Sequence, residues 1–197
     1  ILHPIKLIVD NYPADKTEYF EVSNNPNDES AGTRKLPFTR ELYIDADDFA
    51  EVPPPKFFRL KPEGEVRLMG AYIVKYAGIE KDENGNIIAI HANADLETGN
   101  GNPTDGRKVT IHWLSAPNAL TTTVMLYNNL FTVENMGEID TADYDKYLNP
   151  ESVIEIDDAK IEPSLGDAKS GEKFQFVRTG YFTPDSKHAN RFNRIVS

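Results

Sequence analysis

The sequence contains no cysteine, which excludes disulfides, thiolate metal sites and cysteine nucleophiles, leaves stability to packing and fits a reducing compartment. No apolar run approaches the roughly 18 to 20 residues of a membrane span, so a membrane partner is not expected. Bases are scarce beside acids: 21 Lys plus Arg stand against 32 Asp plus Glu, for a net charge of -11 and a pI of about 4.8. That balance argues against a uniformly basic nucleic-acid binder. What is present is 197 residues with 39% hydrophobic and 10% aromatic content, enough for a soluble globular chain of one large all-β domain or two small ones. The first residue is Ile1 rather than Met and no signal-peptide order follows it, so the chain reads as part of a longer one.

The apolar pattern is short and mostly of period two. Lys6-Leu7-Ile8-Val9, Glu65-Val66-Arg67-Leu68 and Lys173-Phe174-Gln175-Phe176 each send alternate side chains to one face, the mark of half-buried strands. Asn84-Gly85 tolerates positive φ in a tight turn and predicts a hairpin from about Tyr72 to Ala92. Further strands are expected at Tyr19–Val22, Leu42–Ile44, Val109–Trp113, Thr122–Tyr127, Val153–Ile156 and Asn193–Val196. Only Thr141–Leu148 reads as helical, with Thr141 as its cap. Asn24–Thr33 and Thr98–Asp105 read as polar loops. Many short strands between turn signals predict an all-β chain, and two small antiparallel barrels suit the length, since closure removes exposed sheet edges.

Catalytic patterns are sparse. His3, His91, His112 and His188 are scattered, none at metal-ligand spacing or beside a carboxylate pair, and His112 reads as a packed strand residue. Asp47-Asp48 and Asp157-Asp158 are adjacent, so in a strand they point to opposite faces and read as solvated charge. Gly99, Gly101 and Gly106 precede no helix and cannot set a helix N-terminus against a phosphate. Basic charge, however, is clustered. Arg34, Lys35 and Arg40 have no acid among residues 34–40, and Lys56, Arg59, Lys61, Arg67 and Lys75 outnumber Glu63 and Glu65 over residues 56–75. That second stretch adds Phe57, Phe58 and Tyr72, the mixture of guanidinium and aromatic surface that unstacked bases require. Gln175 faces outward on its strand and can both donate to and accept from a base edge.

Several ordered strings carry a resemblance: His3-Pro4-Ile5-Lys6-Leu7-Ile8-Val9-Asp10-Asn11-Tyr12-Pro13, Gly32-Thr33-Arg34-Lys35-Leu36-Pro37-Phe38 and Phe57-Phe58-Arg59-Leu60. Ile111-His112-Trp113, Glu162-Pro163-Ser164-Leu165 and Phe174-Gln175-Phe176 continue the series. In order and spacing, across nearly the whole chain, they resemble the C-terminal anticodon-binding region of glutaminyl-tRNA synthetases, class I enzymes of the E and Q group. The resemblance implies two ribosomal protein-like β-barrels, divided at about 1–20 plus 116–197 for a proximal barrel and 21–115 for a distal one. It also implies a non-catalytic module of a monomeric cytoplasmic glutamine-tRNA ligase. Its partners would be the anticodon loop of glutamine tRNA and an upstream catalytic domain that uses ATP and Mg, with no cofactor or metal bound by this chain.

Carried over residue by residue, the resemblance gives Arg59 the third anticodon base, a guanine. Guanidinium against guanine O6 and N7 is also the pairing that geometry favours. Gln175 and Arg178 match the pocket for the middle base, a uracil; Arg67 matches an arginine near the first anticodon nucleotide, and Asn27 a loop asparagine. Lys56 and Arg34, from the basic stretches, complete the expected RNA-binding set. The chain departs from the family at Phe58, where a lysine is common, at Met69, in place of a second arginine, and at Val177, usually Glu. Competing expectations are the anticodon-binding region of a related glutamyl-tRNA synthetase, a free-standing RNA-binding barrel and a secreted β-sandwich adhesin.

The acidity is itself unevenly placed. Residues 134–158 hold nine acids against Lys146, a net of -8 out of the chain's -11, which leaves -3 for everything else. The overall charge therefore leaves room for an RNA-binding face, with the acidic segment expected away from it.

Overall fold

The computed structural model describes every residue except 26, 98, 100–107 and 197, so most of the expected loop at 98–105, with Gly101 and Gly106, lies outside the described residues. The chain is all-β with short 3-10 turns, and no helix among the described residues is long and apolar enough to cross a membrane. It divides into two compact units, Ile1–Leu120 with Lys160–Leu165, and Thr121–Ala159 with Gly166–Ser197.

The first unit contains β1 (Pro4–Val9), β2 (Glu18–Ser23), β3 (Thr33–Phe38), β4 (Glu41–Asp45), β5 (Glu65–Leu68), β6 (Ile73–Lys81), β7 (Ile87–Ala94), β8 (Thr110–Ile111) and β9 (Leu114–Ser115). Strands β2 and β3 form an antiparallel ribbon, and the other seven form one sheet in the order β8-β5-β6-β7-β1-β4-β9. The two edge strands of that sheet are separated in sequence only by His112 and Trp113. Even a fully extended chain takes Ile111 no more than about 11 Å from Leu114, so the sheet has to curl until its edges meet, as in a barrel. Inside lie Leu7, Val9, Ile44 and Leu68, delivered by alternation along β1, β4 and β5, together with Ile90, with Phe38 at the end of a buried run and with Trp113 between β8 and β9. Phe38 packs edge-on against Tyr12, Tyr72 and Trp113, and the indole Nε1 donates to Met69 O at 2.9 Å. The hydroxyls of Tyr72 (2.6 Å) and Tyr12 (3.2 Å) both donate to Glu18. The hydrogen bond from Tyr72 holds the Glu18 carboxyl below its usual range, while burial, with Glu18 nearby, pushes Tyr12 up to about 12.

The second unit contains β10 (Leu120–Tyr127), most of β11 (Val153–Ile161), β12 (Phe174–Phe176), β13 (Gly180–Pro184) and β14 (Arg191–Val196), in the order β11-β10-β14-β13-β12. Its core is aromatic. Phe176 stacks on Phe182 with centroids 4.2 Å apart and meets Phe192 at 5.6 Å.

The Tyr72–Ala92 hairpin appears as β6 and β7, closed by Asp82, whose carboxylate accepts from the backbone N–H groups of Asn84 and Asn86. Other expectations shift. The sheets are mixed rather than purely antiparallel, because β1–β7, β5–β8 and β10–β14 pair in parallel. The strand expected at Val109–Trp113 breaks after Ile111, where the chain crosses between the two sheet edges. Residues 1–20 were expected with the C-terminal part, yet β1 hydrogen-bonds to β4 and β7 and lies in the middle of the first unit's sheet. The helical reading of Thr141–Leu148 resolves into a 3-10 helix over Thr141–Tyr147, and its cap is Asp140, which accepts from Ala142 N at 3.0 Å. An aspartate one residue earlier reaches the free N–H groups as well as a threonine does. The polar stretch at Asn24–Thr33 holds a 3-10 turn at Glu29–Ala31 capped by Asp28, and Thr33 already belongs to β3.

Candidate nucleic-acid interface

The basic segment between the 3-10 turn at Ala46–Asp48 and β5 is pinned by backbone bonds. Leu60 N donates to Asp48 O, Ala50 N to Leu60 O, and Phe49 and Leu60 form an isolated bridge. Those bonds set Arg59 beside the acidic turn. Its Nη1 donates to Asp47 O at 2.9 Å, and its Nε stands 3.3 Å from Oδ1 of Asp48, which is only 1% exposed. Asp48 is therefore not the solvated charge its neighbourhood suggested. A buried carboxylate needs a cation, and here it fixes one. Nη2 of Arg59 and the second Nη1 hydrogen meet no protein acceptor among the described residues.

In sequence, Arg59 stands among basic and aromatic residues. Phe58 is 70% exposed, and Lys56, exposed, adopts a left-handed backbone at φ 65°. The ammonium of Lys61 turns back to Phe57 O at 3.4 Å. Arg67, on β5, donates from Nη1 to Ala71 O at 3.2 Å, which ties its head to the β5–β6 turn. Asn27 is exposed, with its backbone N–H on Asn25 Oδ1, next to the turn capped by Asp28.

Arg34 is placed differently from the rest of the expected set. Its Nε and Nη2 form two short bonds to Glu162, at 2.6 and 2.7 Å, and its Nη1 reaches Ser23 O at 2.9 Å. Hydrogen bonding to Glu162 raises the guanidinium above its ordinary pKa. A fork–fork pair of this kind ties the β2–β3 ribbon to the Lys160–Leu165 segment and leaves few donors for a base.

In the second unit, β12 and β13 form a hairpin whose turn contains Arg178, non-glycine yet left-handed at φ 63°. The alternation expected over Lys173–Phe176 holds: Phe174 and Phe176 pack against Phe192, while Gln175 is exposed. Among the described residues the Gln175 carboxamide has no hydrogen-bond partner. In the order of this sheet, three strands lie between the acidic edge strand β11 and β12.

One cluster escaped the sequence reading. His91 was expected to stand apart from carboxylate pairs, but its Nδ1 lies 2.8 Å from Asp10 and its Nε2 2.9 Å from Glu80. These contacts, that to Asp10 foremost, raise its pKa, because a carboxylate beside each ring nitrogen favours the charged imidazole. Asp10 follows β1, and its sequence distance from His91 on β7 hides the pairing that the parallel register creates. Among the described residues no group of three or more His, Asp or Glu side chains stands together in a way that could hold a metal ion.

Comparison with known proteins covers most of the chain. Residues 1–95 match the family described as tRNA synthetases class I (E and Q), anti-codon binding domain, and residues 110–185 match a second profile of that description. Glutamine-tRNA ligase of Clostridioides difficile is 46% identical over 203 residues, covering 100% of this chain and 36% of the relative. Glutamine-tRNA ligase of Aliivibrio fischeri is 46% identical over 202 residues with the same coverage. That of Bradyrhizobium diazoefficiens is 45% identical over 187 residues, covering 94% of this chain and 33% of its own length. The chain thus spans about a third of the curated relatives that it matches.

Proposed function

Because the chain belongs to the anticodon-binding domain family of class I tRNA synthetases of the E and Q group, we propose that it reads the anticodon loop of glutamine tRNA by contacts to individual, unstacked bases. The whole protein is then a glutamine-tRNA ligase of the cytoplasm, acting as a monomer. Its catalytic part, which uses ATP and Mg, lies outside this chain, and the present residues hold the anticodon end of the tRNA while the other end is charged.

The observation that carries this reading is the anchored Arg59. A flexible arginine loses side-chain entropy on binding a base, whereas Arg59 is already held by Asp48 and Asp47 with the remaining edge of its guanidinium unpaired. That edge suits the O6 and N7 acceptors of guanine, the third base of glutamine anticodons. The free carboxamide of Gln175 suits a base with both a donor and an acceptor on its edge, such as the middle uracil. Arg178 would join Gln175 at the middle base, while Lys56, Arg67 and Asn27 would add backbone and loop contacts, which orient rather than specify.

The test is titration of the 197-residue chain with anticodon stem-loop RNAs at micromolar to millimolar concentrations and several salt concentrations. The wild-type chain is expected to prefer the glutamine anticodon over one with a changed third base. Arg59→Ala should lose about 1–3 kcal/mol of that preference, with both affinities falling as salt rises. Equal binding of matched and mismatched loops by the wild type, or a salt slope near zero, would sink the reading.

A further inference from the structure

Gln175 does not stand alone on its face of the sheet. The antiparallel register of β12 and β13 sets Phe174 opposite Phe182, Gln175 opposite Tyr181 and Phe176 opposite Gly180. Directly opposed residues send their side chains to the same face, with Cβ atoms about 4.5–5.5 Å apart. Phe174, Phe176 and Phe182 form the inner face, stacked into the core, so Gln175 and Tyr181 share the outer one. Strand β14 continues the row, because Tyr181 also pairs with Val196, itself exposed.

Tyr181 is 48% exposed, and among the described residues its hydroxyl has no hydrogen-bond partner and its ring stacks on no other. An uncovered aromatic face thus lies one strand spacing from an uncommitted carboxamide. Such a pair supplies what recognition of a splayed-out base needs: a flat apolar surface for the ring and a donor–acceptor group for its edge. Its backbone is also fixed by the sheet rather than by a loop, so only side-chain freedom is lost on binding.

We propose that Tyr181 is the stacking platform for the RNA base whose edge Gln175 reads. The inference rests on the reading of this chain as an anticodon binder and names a residue that completes its middle-base site. Stacking tolerates any base, so Tyr181 contributes affinity while Gln175 contributes choice.

The experiment uses the whole chain and the same stem-loop RNAs, with Tyr181→Ala, Tyr181→Phe and Tyr181→Trp. Tyr181→Ala is expected to bind the matched loop about 5- to 100-fold more weakly while keeping its relative preference for the middle base. Tyr181→Phe should bind within about 2-fold of wild type, because the ring and not the hydroxyl is used. Tyr181→Trp adds a second indole to a chain whose only other, Trp113, is 1% exposed, so quenching of the new emission by RNA reports stacking directly. Wild-type affinity in Tyr181→Ala, or no change of the Tyr181→Trp emission at RNA saturation, would overturn the proposal while leaving the anticodon reading intact. Failure of the wild-type chain itself to tell anticodons apart would overturn both. A loss in Tyr181→Ala that Tyr181→Phe does not restore would also count against stacking.

Discussion

Arg34 and Arg59 belong to neighbouring basic stretches of one unit, and only their partners distinguish them. Glu162, which pairs with Arg34, lies 128 residues away in sequence, so no local pattern could show that this guanidinium is occupied. Asp48, which holds Arg59, was within view but adjacent to Asp47, and adjacency cannot tell a buried carboxylate from a solvated one. The two arginines should therefore respond to mutation in opposite currencies. Arg34→Ala leaves Glu162, largely enclosed, without its guanidinium partner and with only the Ser164 hydroxyl, at 3.3 Å, still donating to it, and should lower unfolding stability by about 1–3 kcal/mol, with base preference unchanged. Arg59→Ala should act chiefly on base preference. Urea unfolding of both variants beside the RNA titration separates the effects, and a large stability loss in Arg59→Ala with none in Arg34→Ala would reverse the assignment.

At the scale of elements, period-two alternation made most strands legible, because one face of each is buried. It could not show which strand pairs with which. The parallel neighbours β1 and β7 are far apart in sequence, and the pattern of one strand says nothing of its partner's direction. Strand β3 was hidden by its polar start, Thr33-Arg34-Lys35, and β13 by the glycine and proline at its ends. Turns carry a prediction of their own. Gly85, in the hairpin of β6 and β7, has φ 85° and open space around an added Cβ, so Gly85→Ala should cost about 1 kcal/mol, from backbone conformation alone. Gly70, in the β5–β6 turn, has φ 67°, and a Cβ there would stand 2.7 Å from Val22 Cγ1. Gly70→Ala should therefore be the more destabilising, and by shifting the turn that accepts from Arg67 it should also weaken RNA binding. Thermal or urea unfolding that ranks the two variants equally would show that the β2–β3 ribbon yields freely at Val22.

Across the whole molecule, net charge is a poor guide to the partner, because nine acids are concentrated in residues 134–158 and those residues belong to the second unit. Arg191 meets Glu155 at 3.1 Å and Lys146 meets Asp143 at 2.7 Å, but most of that segment's charge is exposed and unbalanced. Its field would act on RNA of any sequence, whereas the roles proposed for Arg59 and Gln175 concern particular bases. Replacing Glu138, Asp140, Asp145 and Glu151 with amides should therefore strengthen matched and mismatched stem-loops by the same factor. The gain should be largest at low ionic strength, where the screening length reaches about 30 Å at 0.01 M, and nearly absent at 1 M, where it falls to about 3 Å. Asp140 caps a 3-10 helix through its side-chain oxygen, and asparagine keeps that acceptor, so the substitution changes charge without removing the cap. If the preference between anticodons moved with the affinity, the acidic segment would be part of the reading surface. An unchanged preference with a salt-dependent gain would make it a sequence-blind repulsion that keeps this protein from holding RNA it does not read.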